Sequence, residues 1–403
     1  MLIDYQEIEL NELEINLPTS KSISNRALII QQLCLESILL ENLSEAEDTK
    51  ILQALLQDKG SEKDVGMAGT VARFLSAYLA TQNTTYLLNG SERMQIRPMN
   101  ILLDALEILG AEIKYLGKVG FLPVQINGSK ITGGKLALDA SVSSQFISAL
   151  MMIAPSLKQG LEIELLGTPC SKPYIIMTQK LMEHFGIQLT VKENTISIPA
   201  QNYHQNTLRI EGDWSSAAYF YSALALADEG SLVLKNLSFD SWQGDSIVSD
   251  IYYRLGIKTS LWEDDILLEK SEHVIAYLEY DFSDCPDLAQ TVICTCVGLG
   301  IEGMFIGLQT LRNKETDRIK ALQNELIKFD WQLIEKKKNH FELSRRQEIY
   351  KEAILIDTYH DHRMAMAFAP LAIILGPFGV KNAEVVKKSF PQFWNELEKI
   401  GIH

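Results

Sequence analysis

Six times along the 403-residue chain, small or polar residues head an apolar run: Ser22-Ile-Ser-Asn-Arg-Ala-Leu-Ile, Thr70-Val-Ala-Arg-Phe-Leu, Ser143-Ser-Gln-Phe-Ile-Ser-Ala-Leu, Ser215-Ser-Ala-Ala-Tyr-Phe, Asp287-Leu-Ala-Gln-Thr-Val and Asp361-His-Arg-Met-Ala-Met-Ala-Phe. Serine, threonine or aspartate in that place caps a helix N-terminus. The free N–H groups and the positive end of the helix dipole then favour a bound anion. Where two such residues adjoin, as at Ser143-Ser144, one can cap while its neighbour binds. By type and spacing alone, Asp287 after Pro286 reads as a helix cap, and Glu315 reads as the i, i+3 ion partner of Arg318.

Other chemistries lack their residues. The five cysteines (Cys34, Cys170, Cys285, Cys294 and Cys296) form no C-x-x-C pair. The spacing of His184, His204, His273, His340 and His403 does not fit a metal site, so no metal is expected. There is no glycine-rich nucleotide loop of Walker or Rossmann type and no Schiff-base lysine motif, so no cofactor is expected either.

What must position the six helix starts is a repeat. They stand at 22, 70, 143, 215, 287 and 361, at intervals of 48, 73, 72, 72 and 74 residues. A short strand-like run follows each, the last being Val380-Lys-Asn-Ala-Glu-Val. A second, amphipathic helix then begins near Glu47, Pro98, Pro173, Asp245, Glu315 and Pro391, at offsets of 25, 28, 30, 30, 28 and 30 residues from the first. Proline is favoured at the first helical position. Hairpins such as Ile187-Gln-Leu-Thr-Val with Thr195-Ile-Ser-Ile, and then one more strand, lead into the next unit. Each unit therefore reads β-α-β-α-β-β. The sixth ends at His403 without its hairpin, while the chain opens on a hairpin-like Glu7-Ile-Glu-Leu and Leu13-Glu-Ile-Asn-Leu, so the N-terminus is expected to complete the last unit. The interval of 48 implies that the first unit is shortened and lacks its hairpin. Three units per domain give an α/β fold with residues 20–209 as one domain and 1–19 with 210–403 as the other, joined by two crossings.

Length and 46% hydrophobic content favour two cores over one. Scattered cysteines fit a reducing compartment. The opening MLIDYQEIEL carries Asp4, Glu7 and Glu9 where a signal peptide needs a basic flank, so a cytoplasmic protein is expected. The apolar stretch from Ala365 to Val380, broken by Pro370, Gly376 and Pro377, falls short of the ~20 residues of a membrane span. With 37 basic against 52 acidic residues, the net charge of −15 argues against nucleic-acid or anionic-membrane surfaces. Cations that bind an anionic substrate must then be gathered locally.

The stretch Leu17-Pro-Thr-Ser-Lys-Ser-Ile-Ser-Asn-Arg-Ala-Leu resembles the opening motif of the 5-enolpyruvylshikimate-3-phosphate synthases. Further motifs of that family follow in order: Ala68-Gly-Thr with Arg73, Arg93-Met-Gln-Ile-Arg-Pro, Ser143-Ser-Gln-Phe, Ser171-Lys-Pro-Tyr, Glu211-Gly-Asp with Ser215-Ser, Pro286-Asp, Lys314-Glu-Thr-Asp-Arg, Asp361-His-Arg-Met-Ala-Met and Lys388-Ser-Phe-Pro. The resemblance spans nearly the whole chain. It implies a two-domain inside-out α/β barrel of six β-α-β-α-β-β repeats, three per domain, with helices inside and sheets outside. It also implies transfer of the enolpyruvyl group of phosphoenolpyruvate to shikimate 3-phosphate, by a monomer without a cofactor.

By that resemblance, Lys21, Ser22, Arg26, Ser143, Ser144, Gln145, Ser171, Tyr174, Asp287 and Lys314 hold shikimate 3-phosphate, on the side of the domain 20–209. Lys21, Gly69, Arg97, Gln145, Arg318, Arg363 and Lys388 hold phosphoenolpyruvate, over which the other domain closes. Hydroxyls, an amide and forked arginine donors suit phosphate, sugar and carboxylate oxygens. Asp287 is the implied base for the sugar hydroxyl, Glu315 the acid for C3 of phosphoenolpyruvate, and Lys21 a further donor or charge stabiliser; Thr70, Asp213 and His362 support them. Arg93 reads as a solvated or structural residue.

Three departures from the family pattern stand out: Thr19 for the usual glycine, Met67 for the usual asparagine before Ala68-Gly69-Thr70, and the shortened first unit. The two substitutions fall beside the implied phosphoenolpyruvate site. The related UDP-N-acetylglucosamine enolpyruvyl transferases place a cysteine acid in the loop before the position of Arg97, where this chain has Ser91-Glu-Arg-Met-Gln-Ile and no cysteine.

Overall fold

The computed structural model describes residues 1–140, 143–167 and 171–403; of the expectations above, only Cys170 lies outside them. The chain divides into two compact units. One, the inserted unit, is Ser20–Ile210; the other, the split unit, is Met1–Thr19 with Glu211–His403.

The helices, in chain order, are α1 (Lys21–Leu33), α2 (Glu47–Gln57), α3 (Gly69–Leu79), α4 (Glu92–Gln95), α5 (Asn100–Ile108), α6 (Ser144–Ile153), α7 (Lys172–His184), α8 (Trp214–Leu226), α9 (Val248–Tyr253), α10 (Ala289–Leu299), α11 (Arg318–Leu326), α12 (His362–Phe368), α13 (Ala372–Leu375) and α14 (Phe393–Glu398). Their burial follows their composition. A helix that is apolar all round belongs inside, and α8, with the sequence WSSAAYFYSALAL, buries every residue except Ser215. The same holds for α12 and nearly so for α3, α6 and α10. By contrast, α2 buries only Asp48, Thr49 and Leu52 and keeps a polar outer face. Within the inserted unit α1, α3 and α6 pack on one another, and within the split unit α10 packs on both α8 and α12. Small residues permit the approach: a Cβ on Gly298 of α10 would come within 2.4 Å of Leu226 Cδ2 of α8.

Among the described residues the strands form six sheets, each holding one parallel pair. Parallel neighbours need a crossover, usually a helix, and in four sheets a buried helix supplies it in sequence: α3 between 62–64 and Thr85–Asn89, α6 between 134–139 and Leu161–Leu166, α10 between 277–281 and Glu302–Ile306, and α12 with α13 between 355–356 and Phe378–Val380. The other two pairs are closed by the ends of the units. Leu13–Asn16 lies parallel to Ser231–Lys235 although the whole inserted unit separates them in sequence, and Thr207–Arg209 returns to lie parallel to Leu39–Glu41. Leu39–Glu41 has that single partner in a two-stranded sheet, whereas four of the other sheets have four strands.

Several local expectations are corrected. Glu7–Leu10 is not a strand: Leu10 O instead accepts from Ser231 N, while Leu2–Ile3 pairs antiparallel with 378–379 in the last sheet. The run from Val380 to Val385 is not one strand either. Asn382 turns the backbone to φ 49°, and Ala383–Lys388 winds into a 3-10 helix. Three helices start earlier than read: Ser20 caps α1 by accepting from Ile23 N, Asp213 caps α8 by accepting from Ser216 N, and α3 begins after Ala68 with no side-chain cap, so that Thr70 lies inside it. Asp287 caps nothing; it lies inside a 3-10 turn, Pro286–Leu288, and its carboxylate is used elsewhere. No helix among the described residues is long and apolar enough to cross a membrane.

Candidate active site

The inserted unit gathers its candidates at three helix starts. At the first residue of α1, Lys21 Nζ lies 3.2 Å from Oδ2 of Asp48, a buried residue in the first turn of α2. Arg26, one turn further along α1, is only 2% exposed. Its Nε donates to Thr178 Oγ1 at 2.8 Å, one terminal nitrogen to Ser148 Oγ at 3.2 Å and the other to Ser22 O at 2.9 Å, while the guanidinium faces the rings of Phe74 and Tyr174. Burial draws it down to about 10, with Tyr174 opposing. Arg26 therefore ties α1 to α6 and α7 and has its fork engaged within the protein.

The start of α3 is cationic. A Cβ on Gly69 would lie 2.5 Å from both terminal nitrogens of Arg97 and 2.7 Å from one of Arg73. Arg73 is anchored by Gly69 O and Pro98 O, at 2.9 and 3.2 Å. Both guanidiniums thus press on the positive end of a helix dipole, where an anion is the favoured neighbour. Beside them Gln145 Nε2 donates to Thr70 Oγ1 at 3.0 Å, linking the starts of α3 and α6. Ser143 caps α6 by accepting from Gln145 N, and buried Ser144 follows it. Ser171, ahead of α7, is buried in the left-handed region at φ 55°, ψ 47°, a conformation that is rare outside glycine. Met67 is partly exposed in the turn before α3. Thr19, in the split unit, bridges to Gly212.

In the split unit the candidates converge on Arg318, whose side chain is 2% exposed at the first residue of α11. Its Nε and one terminal nitrogen hold Asp361, at 2.7 and 3.2 Å; the latter also reaches Glu315 at 3.0 Å, and the other terminal nitrogen reaches Asp287 at 3.0 Å. Around this hub Arg363 contacts Asp287 Oδ2 at 3.1 Å, Lys314 contacts Asp287 Oδ1 at 3.4 Å and Lys388 contacts Glu315 Oε1 at 3.0 Å. Four cations thus face three carboxylates, a balance of +1. The i, i+3 pairing of Glu315 with Arg318 is present, within a larger network.

Burial alone would push the Asp287 carboxyl up; Arg363, Lys314 and Arg318 together outweigh it and hold the group well below 3.8. Burial pushes the Lys314 ammonium down, against the pull of Asp287. Arg363 also donates to Tyr219 OH of α8 at 3.2 Å, and burial raises that phenol to about 12. Asp213 caps α8, and His362 lies buried at the start of α12 with Nδ1 3.6 Å from Asp361.

Asp48, Arg73, Asp361 and Tyr219 join the candidates only in three dimensions. Signals existed for two of them: Asp361 heads the sixth apolar run, and Arg73 lies one helical turn after Gly69. No cluster of three or more histidine, cysteine, aspartate or glutamate side chains suited to a metal occurs among the described residues.

The family model for EPSP synthase (3-phosphoshikimate 1-carboxyvinyltransferase) matches residues 51–397. The 3-phosphoshikimate 1-carboxyvinyltransferase of Bacteroides fragilis (strain YCH46) is 42% identical over 96% of this chain and 95% of its own length. That of Haemophilus influenzae is 35% identical over 96% of each. Among solved structures, an EPSP synthase from Acinetobacter baumannii superposes with a TM-score of 0.79 at 19% identity, covering 100% of this chain and 99% of that one, a likeness of fold.

Proposed function

The chain belongs to the EPSP synthase family, and on that premise we propose how its residues divide the reaction. The enzyme transfers the enolpyruvyl group of phosphoenolpyruvate to the 5-hydroxyl of shikimate 3-phosphate and releases phosphate, a step of aromatic amino acid biosynthesis. In the proposed mechanism Asp287 takes the hydroxyl proton as the sugar oxygen bonds to C2 of phosphoenolpyruvate, and Glu315 protonates C3. The tetrahedral intermediate then returns a C3 proton to the Glu315 carboxylate as the C2–O bond to phosphate breaks, the C–H pair restoring the double bond and phosphate leaving with the electrons of the broken bond. Lys21 serves as a further proton donor or charge stabiliser.

The observation that carries this division is the Arg318 hub, where one buried guanidinium holds the proposed base and the proposed acid in a single network. Arg318, Arg363 and Lys388 are the proposed phosphoenolpyruvate cations of the split unit; in the inserted unit Lys21 and Arg97 are the proposed cations, and Gly69 and Gln145 the proposed neutral contacts. Ser22, Ser143, Ser144, Gln145, Ser171 and Tyr174, with Lys21, Lys314 and Asp287, are the proposed contacts of shikimate 3-phosphate. The engaged fork of Arg26 favours a role in holding α6 and α7 against α1. Thr70, Asp213 and His362 support the site.

We propose an inside-out barrel of six repeats, three per unit with the first shortened, and closure of the split unit over phosphoenolpyruvate. Parallel strand pairs around buried helices support the repeat. A cytoplasmic monomer completes the proposal.

The test is phosphate release. The purified chain given phosphoenolpyruvate is expected to release phosphate only when shikimate 3-phosphate is present. Release with UDP-N-acetylglucosamine in its place, or none with both substrates, would overturn the reading.

A further inference from the structure

Asp245 has no part in the roles above. It lies in the 3-10 turn Gly244–Ile247 ahead of α9 and is 4% exposed. Ser215 Oγ donates to its Oδ2 in a short hydrogen bond, while its Oδ1 is buried without a hydrogen-bond partner. Ser215 and Tyr219 are four residues apart on α8 and therefore share a face. Tyr219 holds Arg363, and Arg363 holds Asp287. The Ser215–Asp245 pair thus belongs to the face of α8 that Arg363 contacts through Tyr219.

The groups that act on Asp245 come from each neighbouring element: Asp287 and Cys285 from the segment before α10, Arg363 from α12, and Asp213 from the cap of α8. Only one of these is a cation, and Asp287 already binds it. A second anion there would compete for Arg363 and leave Oδ1 charged, buried and without a donor, which is costly. Burial first, and then the charge of Asp287, push the Asp245 carboxyl up to about 7.

Resting on the functional reading above, we propose that Asp245 is a positioning residue for the reaction: a carboxylic acid that keeps its proton in the active enzyme so that the charge of Arg363 is not compensated by a further anion and stays available to phosphoenolpyruvate, and whose ionisation weakens phosphoenolpyruvate binding. The group acts through Arg363 and exchanges no proton with substrate.

The test compares kcat and KM for phosphoenolpyruvate between pH 6 and pH 8.5 in the parent and in Asp245→Asn, whose amide has nearly the shape of the neutral acid. Titration of the substrate phosphate is common to both proteins and cancels in the comparison. For a like charge added within the cluster, the parent KM is expected to rise on the order of fivefold relative to the variant across this range. The variant should match the parent at pH 6. Coincident profiles, or a variant KM at pH 6 more than tenfold above the parent with unchanged thermal stability, would overturn the inference.

Should Asp245→Asn fail to fold, Ser215→Ala gives a second readout. Losing the hydroxyl that donates to the charged form should move the rise in KM upward by about one pH unit; an unmoved profile would count against the inference. Parent turnover with shikimate 3-phosphate in the same assay tests the underlying reading by itself. If the parent turns over and the profiles agree, only the role of Asp245 falls.

Discussion

Replacing Gly69 with alanine should separate phosphoenolpyruvate affinity from stability. The new Cβ would sit 2.5 Å from both terminal nitrogens of Arg97, where ordinary contact begins at 3.4 Å, so the guanidinium must retreat by about 0.9 Å. Arg73, 2.7 Å away, is held by Gly69 O and Pro98 O and is the less free to yield. A displacement of that size breaks the alignment of a forked donor with a carboxylate or phosphate. Losing one charged hydrogen bond of this kind costs roughly 1.5–3 kcal/mol, about a 10- to 150-fold rise in KM for phosphoenolpyruvate. The fold should not suffer. Gly69 is the first residue of α3 and has no left-handed φ, and alanine is the better helix former by up to about 1 kcal/mol. Steady-state kinetics against phosphoenolpyruvate at saturating shikimate 3-phosphate, run beside a thermal melt, give both readouts. An unchanged KM would refute the placing of Arg97 on phosphoenolpyruvate; a raised KM with a large fall in melting temperature would show that the alanine acts by disrupting α3.

Glu315→Gln should lower kcat on the order of 10²- to 10⁴-fold while calorimetry still detects binding of both substrates; a kcat within tenfold of the parent would remove Glu315 as the acid. Asp361→Asn, at a fully buried site, strips Arg318 of its bidentate partner. Breaking a buried ion pair costs about 3 kcal/mol, which in a unit of this size lowers the melting temperature by roughly 6–12 °C; a shift under 2 °C would contradict the hub. The carboxyl of Asp287 is depressed by folding, so its contribution to stability is present above 3.8 and is lost as pH falls through the folded-state value. The stability gap between the parent and Asp287→Asn in denaturant titrations should therefore narrow from pH 5 to pH 2, and a constant gap would disprove the depression.

The sequence carried the helix starts well because capping and apolar runs are local signals. Ser143 and Asp361 cap the helices read from them, and α8 announces its burial by having almost no polar face. The misreadings have local causes too. Pro286 opens a 3-10 turn that leaves Asp287 one turn short of α10, and Asn382 in the left-handed region ends a strand that the apolar pattern would have continued. Family motifs supplied the names of the site residues, but not their partners. Arg318 and Asp361 are 43 residues apart, and nothing in either motif says that one guanidinium serves three carboxylates. Arg26 makes the same point in reverse: an arginine in a binding motif looks like an open fork until burial against Thr178 and Ser148 is seen.

The hub also bears on when the base becomes active. Burial would raise the Asp287 carboxyl, but three cations hold it well below 3.8, which is unfavourable for its proposed role as base. General bases work best with a pKa near the operating pH. On the proposed roles, the carboxylate and phosphate of phosphoenolpyruvate bind to Arg318 and Arg363, the cations that depress Asp287. Each anion placed there competes for that positive charge and lets the effect of burial reassert itself, so the Asp287 carboxyl rises toward a useful range. Basicity then arrives with the substrate. A neutral Asp245 fits the same logic, since a second permanent anion beside Arg363 would compete for the charge that phosphoenolpyruvate is proposed to meet.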